Sequence, residues 1–233
     1  MSKTNISRRS KTISTLVEDK LYNYIEAIEL MQKSASAKFI ETAEAHILLG
    51  LNPKYADQQL RSTVILPKGI GKSIKIAVIT KGEKVSEALS AGADIVGAED
   101  IVSQILQGDI NFDKLIATPD VMPLIAKLGR ILGPRSLMPS PKAGTVTLEI
   151  KKAINEFKLG KLEYKIDRTG IIHIPFGKVN FSSNDLSLNL VAIQESIDRN
   201  RPSGAKGKFW KTFHICSTMG PSISIDTNSF KLI

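Results

Sequence analysis

Cysteine, aromatic residues and long apolar runs are all scarce in this chain of 233 residues. The chain has one cysteine, Cys216, so no internal disulfide can form, and a reducing compartment is the expected environment. No apolar stretch approaches the roughly 20 residues that cross a bilayer, since Lys, Asp or Gly interrupts each candidate. The Ser-, Thr- and Arg-rich start, residues 1–15, lacks the apolar segment of a secretion signal and indicates a basic arm or the stub of a transit sequence.

Acidic residues are fewer than basic residues. The chain has 23 Asp and Glu against 32 Lys and Arg, which gives a formal net charge of +9. Such an excess favours a polyanionic partner, because basic side chains displace condensed counterions from nucleic acid. An acidic membrane surface would satisfy the same charge, and only membrane spanning is excluded by the composition. The hydrophobic content of 42% is ample for the cores of one large or two ordinary domains.

The glycine-rich motifs of nucleotide-binding proteins are missing. Gly69, Gly71 and Lys72 suggest a phosphate-binding loop, but Leu66 stands where its first glycine is required, and a strand rather than a helix follows. No dinucleotide-binding run follows the predicted strand that ends at Thr80. Nucleotide hydrolysis and dinucleotide chemistry are therefore disfavoured.

The residue types of metal sites and catalytic centres are present but scattered. His46, His173 and His214 lie on separate predicted strands, and no cysteine or second histidine stands at metal-ligand spacing. His173 is expected across a hairpin from Lys165, as a core histidine or an anion contact. Serine and cysteine nucleophiles have no identifiable base nearby in the sequence. The sequence predicts no metal, no cofactor and no catalytic residue.

The spacing of apolar residues changes along the chain. Before residue 70 it predicts a helix over 17–32 and strands over 38–49 and 61–67. The middle then alternates strands with helices of about ten residues, which indicates a parallel sheet with crossover helices. The predicted strands of the middle are 73–80, 94–96, 114–117 and 145–147, and its predicted helices are 84–91, 98–107, 121–128 and 148–157.

A third pattern follows residue 160. It predicts a hairpin of strands 162–167 and 171–175, then a helix over 184–199 that is capped by Ser183 or Asn184. Because the two flanks resemble each other, the predicted fold is a discontinuous α+β domain, residues 1–69 and 160–233. A parallel-sheet α/β domain, residues 70–159, is inserted into it. The glycine-containing crossings at 68–71 and 159–161 would form a hinge.

The run GAKGKFWKTFHICSTMGPS, residues 204–222, is the feature that indicates RNA. Its lysines neutralise phosphates, its small hydroxyls can bond a 2′-OH, and its glycine lets a nucleic-acid backbone come close. An ordinary edge strand with a polar turn after it fits the same spacing. Phe39, on an earlier predicted strand, fits either the core, which is the usual place, or stacking on a sugar or base.

Four separated segments resemble the universal L-one family of large-subunit ribosomal proteins. They are KFIETAEAHI (38–47), ATPDVMPLIAKLGRILGPRSLMPSPKAGTV (117–146), DRTGIIH (167–173), and RPSGAKGKFW together with STMGPS near the end. The segments ETAEAHI and IDRNRPSGAKGKFW are similar to the corresponding segments of the cyanobacterial and plastid branch of the family. One departure is Ser136, where relatives usually carry glycine, and it puts a tight turn of the middle domain in doubt.

The resemblance implies a ribosomal protein that is not an enzyme, needs no cofactor, does not bind membranes and is a monomer when free. Its implied partners are large-subunit rRNA at the mobile stalk, the exit-site tRNA whose release it assists, and its own mRNA, whose translation bacterial members repress. The implied location is the large ribosomal subunit in a plastid stroma or a bacterial cytoplasm. Carried over by motif, the RNA-facing strip comprises Phe39, Thr42, Ser217, Thr218, Met219 and Gly220, with Lys165, Arg168, Thr169 and Lys208 on its borders.

Two alternatives stay open. An α/β enzyme with a nucleotide site in the middle domain and a basic domain for its substrate would bind ATP, GTP or NAD saturably. A dedicated translational repressor without a ribosomal role would use the same residues as the ribosomal protein. Only co-sedimentation with the large subunit would separate those two RNA-binding roles.

Overall fold

The computed structural model describes residues 8–230, which fold into two compact units. The first unit combines the chain up to Gly71 with the chain from Tyr164 onward, and the second unit is Lys72–Glu163. The sequence placed these boundaries at 69/70 and 159/160. The first seven residues of the predicted basic arm lie outside the described residues. No helix in the described part of the chain is long and apolar enough to span a membrane.

Helices and strands are distributed over both units. In chain order the helices are α1 (Arg8–Ser14), α2 (Tyr24–Ser34), α3 (Lys84–Ser90), α4 (Glu99–Leu106), α5 (Met122–Ala126), α6 (Gly129–Leu132), α7 (Ile150–Leu159), α8 (Ser183–Arg199) and α9 (Thr227–Phe230). The strands are β1 (Thr42–Leu49), β2 (Arg61–Ile65), β3 (Ile76–Ile79), β4 (Ile95–Gly97), β5 (Lys114–Ala117), β6 (Lys161–Lys165), β7 (Ile171–Lys178), β8 (Trp210–Ser217) and β9 (Ile223–Ile225).

The first unit is built on a four-stranded antiparallel sheet in the order β7-β1-β8-β9. Along the central strand β1, buried and half-buried residues alternate strictly, as expected when one face of a sheet meets a core. The buried face carries Ala43, Ala45, Ile47 and Leu49. The helices α2 and α8 pack against the sheet, so the polar side chains of β1 lie on the opposite, open face.

Two helices of this unit begin at residues that the sequence did not predict. α2 begins seven residues later than expected, because Tyr22 pairs with β9 and Asn23 caps the helix by accepting a first-turn N–H at 3.2 Å. α8 is capped by Ser182, whose hydroxyl accepts a first-turn N–H at 3.1 Å, rather than by Ser183 or Asn184. Both shifts come from caps and pairings that apolar spacing does not report.

The predicted hairpin of strands 162–167 and 171–175 is reduced to its turn, where Ile166 and Ile172 form one antiparallel bridge and the Asp167 N–H donates to the Ile171 carbonyl at 2.9 Å. β6 pairs with β2 in a separate two-stranded sheet, whereas β7 pairs with β1. The residue that pairs with His173 in the four-stranded sheet is therefore His46 of β1. An alternating pattern identifies a strand, but it does not identify the strand's partner.

The second unit has a three-stranded parallel sheet in the order β4-β3-β5, with helices on both faces. Ala77 and Ile79 of β3 lie in one apolar core with α4 and α5, and Ile76 and Val78 lie in another with α3 and α7. Burial on both faces is why the central strand β3 is apolar throughout. The parallel sheet confirms the predicted fold class, although the predicted strand 145–147 is reduced to one bridge with β5.

The tight turn at residue 136 is present, although serine stands where glycine was expected. The φ of Ser136 is 56°, and it is the only non-glycine residue with positive φ in the described range. A left-handed conformation costs an L-residue about 1 to 2 kcal/mol relative to its usual regions. The serine therefore adopts the tight turn at a backbone cost that glycine would avoid.

Candidate RNA interface

A buried glutamate organises the end of the sheet at which the RNA-facing strip lies. The side chain of Glu41 is only 1% exposed. One carboxylate oxygen accepts a hydrogen bond from the Ala37 N–H at 2.9 Å, and the other accepts from the Ser217 hydroxyl at 2.7 Å and the Met219 N–H at 2.9 Å. A single side chain therefore fixes both segments of the strip, the loop before β1 and the turn after β8.

The negative charge of Glu41 is compensated from several directions. Burial by itself raises the pKa of Glu41, but the three hydrogen bonds and the nearby Arg9 guanidinium together hold that pKa below its ordinary value. Arg9 lies 3.7 Å from the carboxylate, and it also donates to the Ser36 hydroxyl at 2.9 Å and to the Met219 carbonyl at 3.3 Å. The helix α1, part of the predicted basic arm, thus supplies the counter-charge.

Further hydrogen bonds join the two segments directly. The Thr42 N–H donates to the Thr218 hydroxyl at 2.9 Å, and the Thr218 N–H donates to the Thr42 carbonyl at 3.1 Å. The ammonium group of Lys178 donates to the Thr42 hydroxyl at 2.8 Å. The Gly220 N–H closes the turn by donating to the Ser217 carbonyl at 3.0 Å. The backbone of the strip is therefore held in one arrangement.

Large apolar side chains project from this fixed backbone into solvent. Phe39 is 55% exposed, Ile40 is 59% exposed and Met219 is 57% exposed. Phe39 precedes β1 and is not part of a strand, so the interpretation of Phe39 as a core residue is wrong. Exposed apolar side chains on a rigid backbone are typical of a contact surface.

Ser217 lies beneath this surface, and Gly220 packs directly against it. Ser217 is 1% exposed, and its hydroxyl is directed at Glu41, so the expectation that it faces RNA is corrected to a supporting position. A Cβ atom at Gly220 would lie 2.4 Å from the Ser217 hydroxyl oxygen. Any side chain at Gly220 would therefore displace the hydroxyl that holds Glu41.

The residues predicted to border the strip lie instead at the opposite end of β1. Arg168 and Thr169 occupy the turn before β7, and Lys165 ends β6 shortly before that turn. Lys208 precedes β8 at the same end of the sheet. We call Lys165, Arg168, Thr169 and Lys208 the distal group. All four of its side chains are exposed.

The pairing of the strands fixes the distance between the distal group and the strip. The Leu49 N–H donates to the Gly170 carbonyl at 3.0 Å, and the Gly50 N–H donates to the Phe209 carbonyl at 2.6 Å, so both distal segments meet the last residues of β1. The strip lies at Thr42, the first residue of β1. Seven residue steps along a strand span about 23 Å. The distal group is thus a second surface rather than the border of the first.

Three residues that support the strip were not predicted from the sequence. Glu41 did leave a signal, because it stands in phase with the buried positions 43, 45, 47 and 49 of β1. A charged residue at a position that the pattern predicts to be buried requires a partner, and it is often structural or functional. Arg9 and Lys178 left no comparable signal, because they reach the strip from remote segments.

Comparison with known proteins identifies the class to which this fold and surface belong. The class is a family of ribosomal proteins, and the match covers residues 31–221, which include every residue of the strip and of the distal group. The chain therefore belongs to the Ribosomal protein L1p/L10e family. It is a structural ribosomal protein and not the nucleotide-binding enzyme of the alternative prediction.

Individual relatives match over almost their whole length. The chain is 70% identical over 223 residues to the large ribosomal subunit protein uL1c of Pyropia yezoensis, covering 96% of this chain and 97% of the relative. It is 66% identical over 229 residues to uL1c of Porphyra purpurea, covering 98% and 99%. It is 61% identical over 226 residues to uL1 of Trichodesmium erythraeum (strain IMS101), covering 97% and 95%. These relatives confirm the predicted cyanobacterial and plastid branch.

Proposed function

We propose that the chain is a component of the large ribosomal subunit that binds rRNA at the mobile stalk near the tRNA exit site. The RNA-facing strip makes the contact, with Phe39, Thr42, Thr218, Met219 and Gly220 at the surface. The observation that carries the proposal is that exposed apolar side chains stand on a backbone fixed by the buried carboxylate of Glu41.

The chemistry of the strip suits folded RNA. An A-form helix hides its base edges in a deep groove, so proteins contact 2′-hydroxyls, phosphates and unstacked bases. Phe39 offers a ring on which an unstacked base can stack, a contact worth about 1 to 3 kcal/mol. The loop before β1 and the turn after β8 are already ordered in the free protein. RNA binding therefore loses no affinity to the entropic cost of ordering them.

Charge supports the same partner. The chain has a net charge of +9, and the buried carboxylate of Glu41, which supports the strip, is paired with Arg9. The distal group lies about 23 Å along β1 from the strip, by the spacing of strand residues. That distance exceeds the Debye length of about 8 Å at physiological salt, so the distal group acts as a separate phosphate contact. An RNA that reaches both surfaces runs along β1.

The resemblance extends the proposal to two further partners. In the ribosome the protein assists release of the deacylated exit-site tRNA, and the same strip binds a similar fold in its own mRNA and represses its translation. The relatives from Pyropia yezoensis and Trichodesmium erythraeum support a plastid stroma or a bacterial cytoplasm as the location. Recovery of the protein in salt-washed large subunits would separate this role from that of a dedicated repressor.

Met219→Asp tests the proposal. We expect the dissociation constant for an rRNA fragment that covers the stalk to rise about tenfold or more, because the change removes an apolar contact and places a negative charge against phosphates. The melting temperature should change little, because Met219 is 57% exposed. Fluorescence anisotropy of the labelled RNA at fixed salt measures the constant.

Leu21→Asp is the matched control for Met219→Asp. Leu21 is also an exposed apolar residue, 67% accessible, and it lies outside helices and strands. The control should bind the RNA as the unmodified protein does. If Met219→Asp and Leu21→Asp give the same dissociation constant, Met219 does not contact the RNA.

A further inference from the structure

The open face of the four-stranded sheet brings together metal-binding side chains that are scattered in the sequence. Glu44 and His46 lie two residues apart on β1, and Cys216 lies opposite Glu44 on β8. One ligand atom of each residue, a carboxylate oxygen, an imidazole nitrogen and the thiol sulfur, lies within 4.8 Å of the others. Spacing along the chain did not predict the cluster, because His46 and Cys216 are 170 residues apart.

The distances between these atoms are close to those of a tetrahedral metal site. Nε2 of His46 lies 3.2 Å from the Cys216 sulfur and 3.9 Å from a Glu44 carboxylate oxygen. Zinc bonds of about 2.0 to 2.3 Å place nitrogen and sulfur ligands about 3.6 Å apart and nitrogen and oxygen ligands about 3.4 Å apart. The two separations therefore differ from the ideal values by about 0.5 Å or less, within reach of small side-chain rotations.

A hydrogen bond and a longer polar contact behind His46 suit a metal ion at its Nε2. Nδ1 of His46 lies 2.8 Å from Nδ1 of His173, and Nε2 of His173 lies 3.6 Å from a carboxylate oxygen of Asp167. A metal ion at Nε2 leaves the proton of His46 on Nδ1, where it donates to His173. The proton of His173 then lies on Nε2 and faces Asp167. Metal-ligating histidines are commonly oriented by such a chain, which ends at a carboxylate.

We propose that Glu44, His46 and Cys216 bind a divalent transition-metal ion of the zinc type, with water as the fourth ligand. His173 and Asp167 act as positioning residues that orient the imidazole of His46. A mixed sulfur, nitrogen and oxygen ligand set suits zinc, whereas magnesium and calcium prefer oxygen ligands alone. On binding, the Cys216 thiol releases its proton to solvent and the thiolate bonds the metal.

Titration of the untagged, metal-free protein with Co²⁺ tests the proposal. We expect a one-to-one complex with a thiolate-to-cobalt charge-transfer band, and Zn²⁺ should displace the cobalt and remove the band. Cys216 is the only cysteine of the chain, so such a band cannot arise from another residue. Cys216→Ser should abolish it. His173→Gln should weaken the affinity about 10- to 100-fold, as expected for the loss of an orienting hydrogen bond, and His46→Gln should weaken it further.

His214→Gln is the matched control, because His214 lies opposite His46 on the same face but its Nδ1 contacts the Ser224 hydroxyl at 3.2 Å. This variant should keep the unmodified affinity. Absence of the charge-transfer band from the folded unmodified protein would overturn the proposal without any variant. Equal cobalt affinity of His46→Gln and His214→Gln would overturn it as well.

Discussion

Replacing Glu41 with alanine is expected to lower the free energy of unfolding of the first unit by about 2 to 4 kcal/mol, because hydrogen-bond donors lose a charged, buried acceptor. Those donors are the Ser217 hydroxyl and the N–H groups of Ala37 and Met219. The loop before β1 and the turn after β8 then lose their common anchor. The affinity of the variant for stalk rRNA should therefore fall about tenfold or more as well. Without the anchor, the strip would have to become ordered when the RNA binds.

Urea unfolding followed by tryptophan fluorescence measures the first of these effects. The chain has a single tryptophan, Trp210, which is 1% exposed in the core of the first unit. Its fluorescence therefore reports on the unit that contains Glu41. The matched control is Glu29→Ala, at an exposed glutamate of α2. Equal stability of Glu41→Ala and Glu29→Ala would contradict the anchoring role of Glu41.

Glu41→Gln removes the charge of Glu41 but keeps the shape of its side chain. The stabilising effect of this charge on folding should depend on pH. The pKa of Glu41 is lowered in the folded protein from an ordinary value of 4.5. A group with a lowered folded pKa stabilises the protein above its unfolded pKa, and this stabilisation is lost as the pH falls through the folded pKa. The difference in unfolding free energy between the unmodified protein and Glu41→Gln should thus be constant above about pH 5.5 and shrink below pH 4.5.

Gly220→Ala is expected to weaken RNA binding about tenfold and to cost about 1 to 3 kcal/mol of stability, the usual range for overpacking. The added Cβ would lie 2.4 Å from the Ser217 hydroxyl oxygen, so this hydroxyl must leave Glu41 or the turn must move. Either change shifts Thr218 and Met219, the exposed residues of the same turn. RNA anisotropy and Trp210 fluorescence measure the two effects on the same preparation.

Gly129→Ala is the control for Gly220→Ala. Gly129 begins α6 in the second unit, and a Cβ there would meet nothing within 4 Å. This substitution should leave the RNA affinity unchanged. An RNA affinity of Gly220→Ala equal to that of Gly129→Ala would mean that the turn does not need close packing beneath it.

The second unit could be predicted more fully than the first. The predicted strand 114–117 coincides with β5, and the predicted helix 84–91 exceeds α3 by one residue. Parallel strands buried on both faces are short apolar runs, and each crossover helix lies next to its strand in the sequence, so local patterns suffice. In the first unit, β1 pairs with two strands from the other end of the chain. No local pattern encodes such partners.

The same contrast holds for the candidate interface. The segments of the RNA-facing strip were predicted from motifs, and the structure brings both to one end of β1 through Glu41. The distal group was misplaced because its position depends on which strand β7 pairs with. The cluster of Glu44, His46 and Cys216 was missed for the same reason, since its ligands become neighbours only through the pairing of β1 with β8.

Oxidation of Met219 in the free and the RNA-bound protein tests most directly whether the strip faces RNA. Dilute peroxide converts exposed methionine to the sulfoxide, which mass spectrometry quantifies at each site. Met219 is 57% exposed, and Met138, a partly buried residue of the second unit, serves as an internal reference. Saturating stalk rRNA should slow oxidation of Met219 several-fold and leave Met138 unchanged. An unchanged rate at Met219 in the saturated complex would contradict the proposed interface.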